Sequence, residues 1–164
     1  MKHITVLLLP NMMASSISLP LEMLNAADNI YRSQTKNRTT LEIAFVSIDN
    51  KPAQTKGGFT IQANATLSEI SKTDLVIIPA LWRNPQHIIK SQDAVCEWLR
   101  DIEKSNAIIC AVGTGSSLLA ESGILHEKAA TTHWFYFDFM EKKYQNVNWK
   151  RKHLITQSGR IYCA

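Results

Sequence analysis

The stretch Ala107-Ile108-Ile109-Cys110-Ala111-Val112-Gly113-Thr114-Gly115-Ser116-Ser117-Leu118-Leu119 decides the fold. Its first six residues form an unbroken apolar run of the kind that makes a strand buried on both faces. Gly113-Thr114-Gly115 stops that strand, and Ser116 to Ser122 reads as a short helix closed by Gly123 as a C-cap. Strand, sharp turn and helix in direct succession is the architecture of a nucleophile elbow. Such a turn forces one residue into an unusual backbone conformation so that its side chain projects at a helix N-terminus. Free N–H groups and the helix dipole there favour a thiolate or an oxyanion. The apex position reads Gly113, which adopts those dihedral angles without strain and offers no side chain to attack anything.

Outward from this stretch the chain alternates apolar strands with helical patterns. Upstream, Asp74 to Pro79 is a buried strand ending at proline. Gln92 to Lys104 is an amphipathic helix through Val95, Trp98, Leu99 and Ile102. At the amino end, His3 to Leu9 is a continuous apolar run. A helix is expected from about Leu19, with Ser18 or a neighbour as cap, Pro20 in its first turn, and Met23, Leu24, Ala27, Ile30 and Tyr31 at helical spacing. Leu41 to Ile48 is a second strand, and Gly57-Gly58 turns a small hairpin edge ahead of Phe59-Thr60-Ile61. Downstream, Thr131-Thr132 ends a short strand before an aromatic helix from Trp134 to Met140. Leu154-Ile155-Thr156 and Ile161-Tyr162-Cys163 read as paired strands. This order specifies an α/β fold: an open, mostly parallel sheet with helices on both faces, a flavodoxin-like three-layer sandwich.

With 164 residues, 45% of them apolar and 20% charged, the chain is one globular domain with enough apolar side chains for a core. Disordered, collagen-like and disulfide-framework classes are excluded. No apolar run approaches the roughly 18–20 residues that span a bilayer, and no signal peptide is legible, so a cytoplasmic protein with no membrane partner is expected. The net charge is +4, too mild to imply nucleic acid by itself. Lys150 to His153 is locally basic and reads as a solvated loop. Cys96, Cys110 and Cys163 are far apart and the five histidines are scattered, so neither a disulfide, a metal site nor a cofactor is expected. The Gly-rich turn lacks a Gly-Lys-Ser/Thr ending and the third glycine of a dinucleotide fingerprint.

In open α/β sheets ligands collect outside the carboxyl ends of the strands. Pro10 to Glu22, Pro79 to Asn84, Gly113 to Ser117 and Thr131 to Trp134 all lie there, which makes one shared crevice the economical expectation. Trp82 and Arg83 would sit on its rim, where an aromatic–guanidinium pair could hold a carboxylate or an amide-bearing metabolite. Glu22 either complements the helix dipole or lines the pocket. His133 either caps the aromatic helix or meets a ligand.

Gly113-Thr114-Gly115, the following Leu118-Leu119-Ala120-Glu121-Ser122-Gly123, and Ala129-Ala130-Thr131-Thr132-His133-Trp134 together resemble the class I glutamine amidotransferase-like (ThiJ/PfpI-type) domain. The version found at the amino terminus of AraC-type transcriptional regulators is the one most resembled. Ser15-Ser16 with Pro20-Leu21-Glu22, and Ile77-Ile78-Pro79, match its first loop and third strand, so the resemblance spans essentially the whole chain.

The resemblance implies that Gly113 stands where the family's elbow cysteine is found. By the same resemblance Glu22 stands at the acidic position beside that cysteine, and His133 at the family histidine. Ala80-Leu81 replace the Gly-Gly usual in catalytic members. Residues 1–164 would then be a sensor domain cut before a C-terminal helix-turn-helix domain. That domain would form a homodimer, bind a small-molecule metabolite among Glu22, Trp82, Arg83, Gly113, Thr114 and His133, and have no catalytic residue. DNA would be bound only through the part beyond Ala164. The alternative is a hydrolase, amidase or hydratase of the same superfamily that uses Glu22 and His133 on a water molecule.

Overall fold

The apolar run at the amino terminus becomes the middle of a seven-stranded sheet. The computed structural model describes residues 2–35 and 40–164. Strand β1 (Lys2–Leu7) leads into helix α1 (Ser15–Gln34) and returns to β2 (Leu41–Ser47). A hairpin of β3 (Ala53–Gln54) and β4 (Thr60–Ile61), turned at Gly57-Gly58, is followed by β5 (Ala65–Thr66) and β6 (Leu75–Ile78). Helices α2 (Gln86–Ile89) and α3 (Asp93–Lys104) connect β6 to β7 (Ile108–Ala111), and α4 (Ser116–Glu121) leaves the Gly113–Gly115 turn. After β8 (Ala129–Ala130), α5 (Phe137–Lys143) and β9 (Asn148–Trp149), the chain forms β10 (Thr156–Ser158) and β11 (Ile161–Cys163).

The sheet order is β10-β11-β7-β6-β1-β2-β5, and every pairing except β10 with β11 is parallel. The step from β1 to β2 and the step from β6 to β7 run in opposite directions along the sheet. Right-handed crossovers therefore place α1 and α3 on opposite faces, which gives the expected three layers. Helix α4 packs beside α3. Val6, Val76, Ile78, Leu99, Ile109, Leu118 and Leu119 are fully buried and form the centre of the core. The Trp98 indole N–H, one residue before Leu99 on α3, donates to the Ile70 carbonyl at 3.0 Å.

Three local expectations are corrected. Helix α1 begins at Ser15, not Leu19, because the N–H groups of Ile17 and Ser18 already bond the Ala14 carbonyl. Ser18 is not its cap, and Pro20 lies inside the helix, removing the donor that the Ser16 carbonyl would take. The aromatic segment splits into a 3-10 turn at Trp134–Tyr136 and α5. Leu154 and Ile155 stand outside β10 and are exposed. The basic stretch is a turn, as read, with Arg151 bonded to the Glu141 and Asp138 carboxylates of α5.

Candidate functional site

The turn after β7 holds Gly113 at φ +50°, the left-handed conformation that glycine accepts most readily. A Cβ added here would meet only the Ala80 Cβ, at 3.6 Å, so conformation and not space selects glycine. Gly115 has the opposite reason. Its added Cβ would lie 2.6 Å from the Pro79 carbonyl oxygen and 3.0 Å from that of Ile78, so α4 can start this close to the end of β6 only without a side chain.

The backbone around the apex is heavily fastened. The Gly113 N–H donates to the Ala164 carbonyl, and the Gly113 carbonyl accepts from Ser116 Oγ at 2.8 Å and Thr132 Oγ1 at 3.2 Å. Thr114 Oγ1 accepts from the Leu81 N–H at 2.8 Å and donates to the Leu81 carbonyl at 2.7 Å. Ser16 Oγ accepts from the Ala80 N–H at 3.0 Å and donates to the Met13 carbonyl at 2.6 Å. Met12, fully buried, bridges Leu81, and the Trp82 N–H donates to the Asn11 carbonyl. Three backbone donors near the apex, on Gly113, Ala80 and Leu81, are thus engaged within the protein. The donor that an elbow itself offers an oxyanion, the N–H of the residue after the apex, belongs here to Thr114 and is not one of these three.

Around this floor stands an exposed rim. Trp82 and Arg83 project from the β6 exit, with Arg83 at φ +60°. Partial burial raises the Tyr136 phenol, and the Arg83 guanidinium pulls it back, which places these two loops within electrostatic reach. His133 Nδ1 accepts the Phe135 N–H at 3.3 Å and caps the 3-10 turn. Its ring lies 5.5 Å from that of Trp134 and 6.0 Å from that of Tyr136. The remaining candidate, Glu22, is elsewhere: it lines a cavity of about 560 Å3 between α1 and the β3–β4 hairpin with Asn25, Phe45 and Phe59. The structure therefore joins Gly113 and Thr114 to the β6 exit, joins Arg83 to the His133 segment, and puts Glu22 in a separate recess.

None of the three thiols is prepared for attack. Burial pushes the Cys110 thiol up, that of Cys96 to about 11 and that of Cys163 to about 12, so none is a thiolate at neutral pH. Among the described residues no group of three His, Cys, Asp or Glu could hold a metal ion, and no helix is long and apolar enough to cross a membrane. Sequence reasoning missed Ser16 and Thr132 as fasteners and Tyr136 on the rim. A hydroxyl carries no mark of its distant partner, but the aromatic run did contain Tyr136.

Comparisons with known proteins agree with this architecture. The DJ-1/PfpI family model matches residues 2–162. A candidate transcriptional regulator from Vibrio parahaemolyticus superimposes with a TM-score of 0.87 at 20% identity, over 99% of this chain and 83% of that one. An AraC family transcriptional regulator from Pseudomonas putida does so with a TM-score of 0.82 at 13% identity, over 100% and 83%. In sequence, the HTH-type transcriptional regulator CdhR of Pseudomonas aeruginosa is 26% identical over 103 residues, which cover 63% of this chain and 30% of the regulator. The chain thus matches less than a third of that regulator's length.

Proposed function

This chain belongs to the DJ-1/PfpI family, and from that premise we propose that it is the small-molecule-sensing domain of an AraC-type transcriptional regulator and does no covalent chemistry itself. The observation that carries this reading is the elbow: glycine at its left-handed apex, with the backbone donors of Gly113, Ala80 and Leu81 already engaged. A hydrolase of this architecture needs a nucleophile at that point.

The metabolite lies over the elbow against the rim of Trp82, Arg83 and His133. Arg83 holds a carboxylate or amide oxygen, and Gly113 leaves room for the ligand. Thr114 shapes the floor, because its hydroxyl already serves Leu81. Glu22 acts from its own recess beside α1. Two copies pair through the outward stripe of α1, where Leu19, Met23 and Ile30 are more than half exposed at helical spacing. Ligand binding shifts the pair between arrangements that present DNA-binding halves, encoded after Ala164, differently.

A thermal-shift screen of carboxylate- and amide-bearing metabolites tests the reading. The expected result is saturable stabilisation that Arg83→Ala abolishes. No stabilisation by any metabolite, or stabilisation that Arg83→Ala leaves intact, overturns it.

A further inference from the structure

Arg83 holds a left-handed backbone, φ +60°, on an exposed loop. A bulky residue stays in that region only where its surroundings fix it from both sides. Before it, the Leu81 N–H and carbonyl are bonded to Thr114 and the Trp82 N–H to the Asn11 carbonyl. After it, Asn84 Oδ1 accepts the Gln86 N–H at 3.0 Å and so ties the loop to the first turn of α2. What α2 is tied to therefore decides how Arg83 is held.

The answer lies at the far ends of the two helices that start at the site. The elbow runs into α4, which ends at Glu121, and the His133 segment runs into α5, which ends at Lys143. Helices of six and seven residues are about 9–10 Å long and too short to keep their direction by their own hydrogen bonds. The Lys143 ammonium joins all three. It donates to Gln86 Oε1 of α2 at 2.8 Å and to Glu121 Oε2 of α4 at 2.6 Å, and it lies 4.7 Å from the centroid of the Tyr144 ring. The Tyr144 hydroxyl donates to the same Glu121 oxygen. The Lys143 and Glu121 side chains are only 30% and 32% exposed, so solvent ions screen the pair less than they would an exposed one. Burial works against both charges, and the hydrogen bonds within the cluster outweigh it. The Glu121 carboxyl is held below its ordinary range and the Lys143 ammonium above its own.

We propose that Lys143 is a positioning residue for Arg83: its ammonium, bonded to α2 and α4 at once, holds the left-handed Arg83 loop in place and spaces it from the elbow and from His133. The inference rests on the function proposed above only for the importance of Arg83. Without the ammonium, Gln86 Oε1 loses its bond from α5, Glu121 keeps the Tyr144 hydroxyl as its hydrogen-bond donor, and α2 with the Arg83 loop moves against the other two loops.

The test compares Lys143→Met, which keeps the apolar stem, with Lys128→Met. The second variant breaks the Lys128–Glu103 pair, of similar exposure at 34% and 39%, away from the site. Two readouts are taken on the full chain with no metabolite present. One is hydrogen–deuterium exchange at the bonded amides of Gln86 and Ile88. The other is the titration of the Tyr136 phenol, followed by NMR and assigned with Tyr136→Phe. Burial raises that phenol and the Arg83 guanidinium lowers it, so its titration reports where Arg83 stands. In Lys143→Met the Gln86 and Ile88 amides should exchange about tenfold faster or more, with β1 unchanged, and Tyr136 should titrate at higher pH, as in Arg83→Ala. Lys128→Met should move neither. Either readout left at its parent value in Lys143→Met, equal acceleration in β1, or the same changes in Lys128→Met overturns the proposal. If Lys143→Met does not fold, Gln86→Leu, which removes the acceptor instead, is read against the same outcomes. A metabolite screen that finds nothing leaves this result standing, and an Arg83 loop indifferent to Lys143 leaves the sensing reading standing.

Discussion

The elbow loops and the α1 face of the sheet belong to the same strands and are finished in different ways. At the elbow, Ser16, Thr114 and Thr132 each tie one loop to another through a buried or partly buried hydroxyl, and Ser116 closes its own turn on the Gly113 carbonyl. On the α1 face of the same strands, Ile108, Cys110 and Tyr162 are half-buried apolar or aromatic neighbours in register. The contrast is between polar ties and apolar packing. On the proposed function a ligand is held at the elbow, and a backbone fixed before it arrives calls for polar fasteners there.

Substitutions that break the contrast should differ in size. Ile109→Ala, on the covered face of β7, should cost about 2–5 kcal/mol in urea denaturation, because a fully buried methyl cluster leaves a cavity. Gly115→Ala should cost about 1–3 kcal/mol or prevent folding, since its methyl would meet the Pro79 carbonyl at 2.6 Å and α4 would have to move. Thr114→Val keeps the volume but leaves the buried Leu81 N–H and carbonyl without their partner, for about 1–3 kcal/mol. Ile108→Ala, one residue from Ile109 and half-buried on the opposite face of β7, should cost less, about 1–2 kcal/mol. A cost equal to that of Ile109→Ala would erase the contrast.

The smallest effect concerns pH. Hydrogen bonds from the Lys2 ammonium at 2.7 Å and the His3 N–H at 2.9 Å hold the Asp74 carboxyl below its ordinary range. A depressed folded value means this contribution is present above the unfolded pKa and fades as pH falls through the folded one. Asp74→Asn should therefore flatten acid unfolding only below about pH 4, by less than about 1 kcal/mol because the pair is partly exposed.

Much of the fold was legible because buried parallel strands announce themselves as unbroken apolar runs, and Gly113-Thr114-Gly115 cut one of them off sharply. The start of α1 was not, because Pro20 imitates a first-turn proline while the helix begins earlier on backbone bonds alone. For the site, Gly113 and the rim of Trp82, Arg83 and His133 followed from position at strand ends. That Thr114 is occupied by Leu81, 33 residues away, could not be read from either segment. Nor could the placement of Glu22, which depends on where the β3–β4 hairpin folds against α1. The difference in burial between Ile109 and its half-buried neighbours Ile108 and Cys110 was hidden for a related reason, since burial by a neighbouring layer is a property of topology and not of the strand's own pattern.

The central claim is that the elbow holds a molecule without transforming it. Incubating the protein with a metabolite that stabilises it, then measuring both by mass spectrometry, tests this most directly. The account predicts that the metabolite returns unchanged and the protein mass is unaltered. Product formed in excess of the protein, or a covalent adduct on the chain, would contradict it.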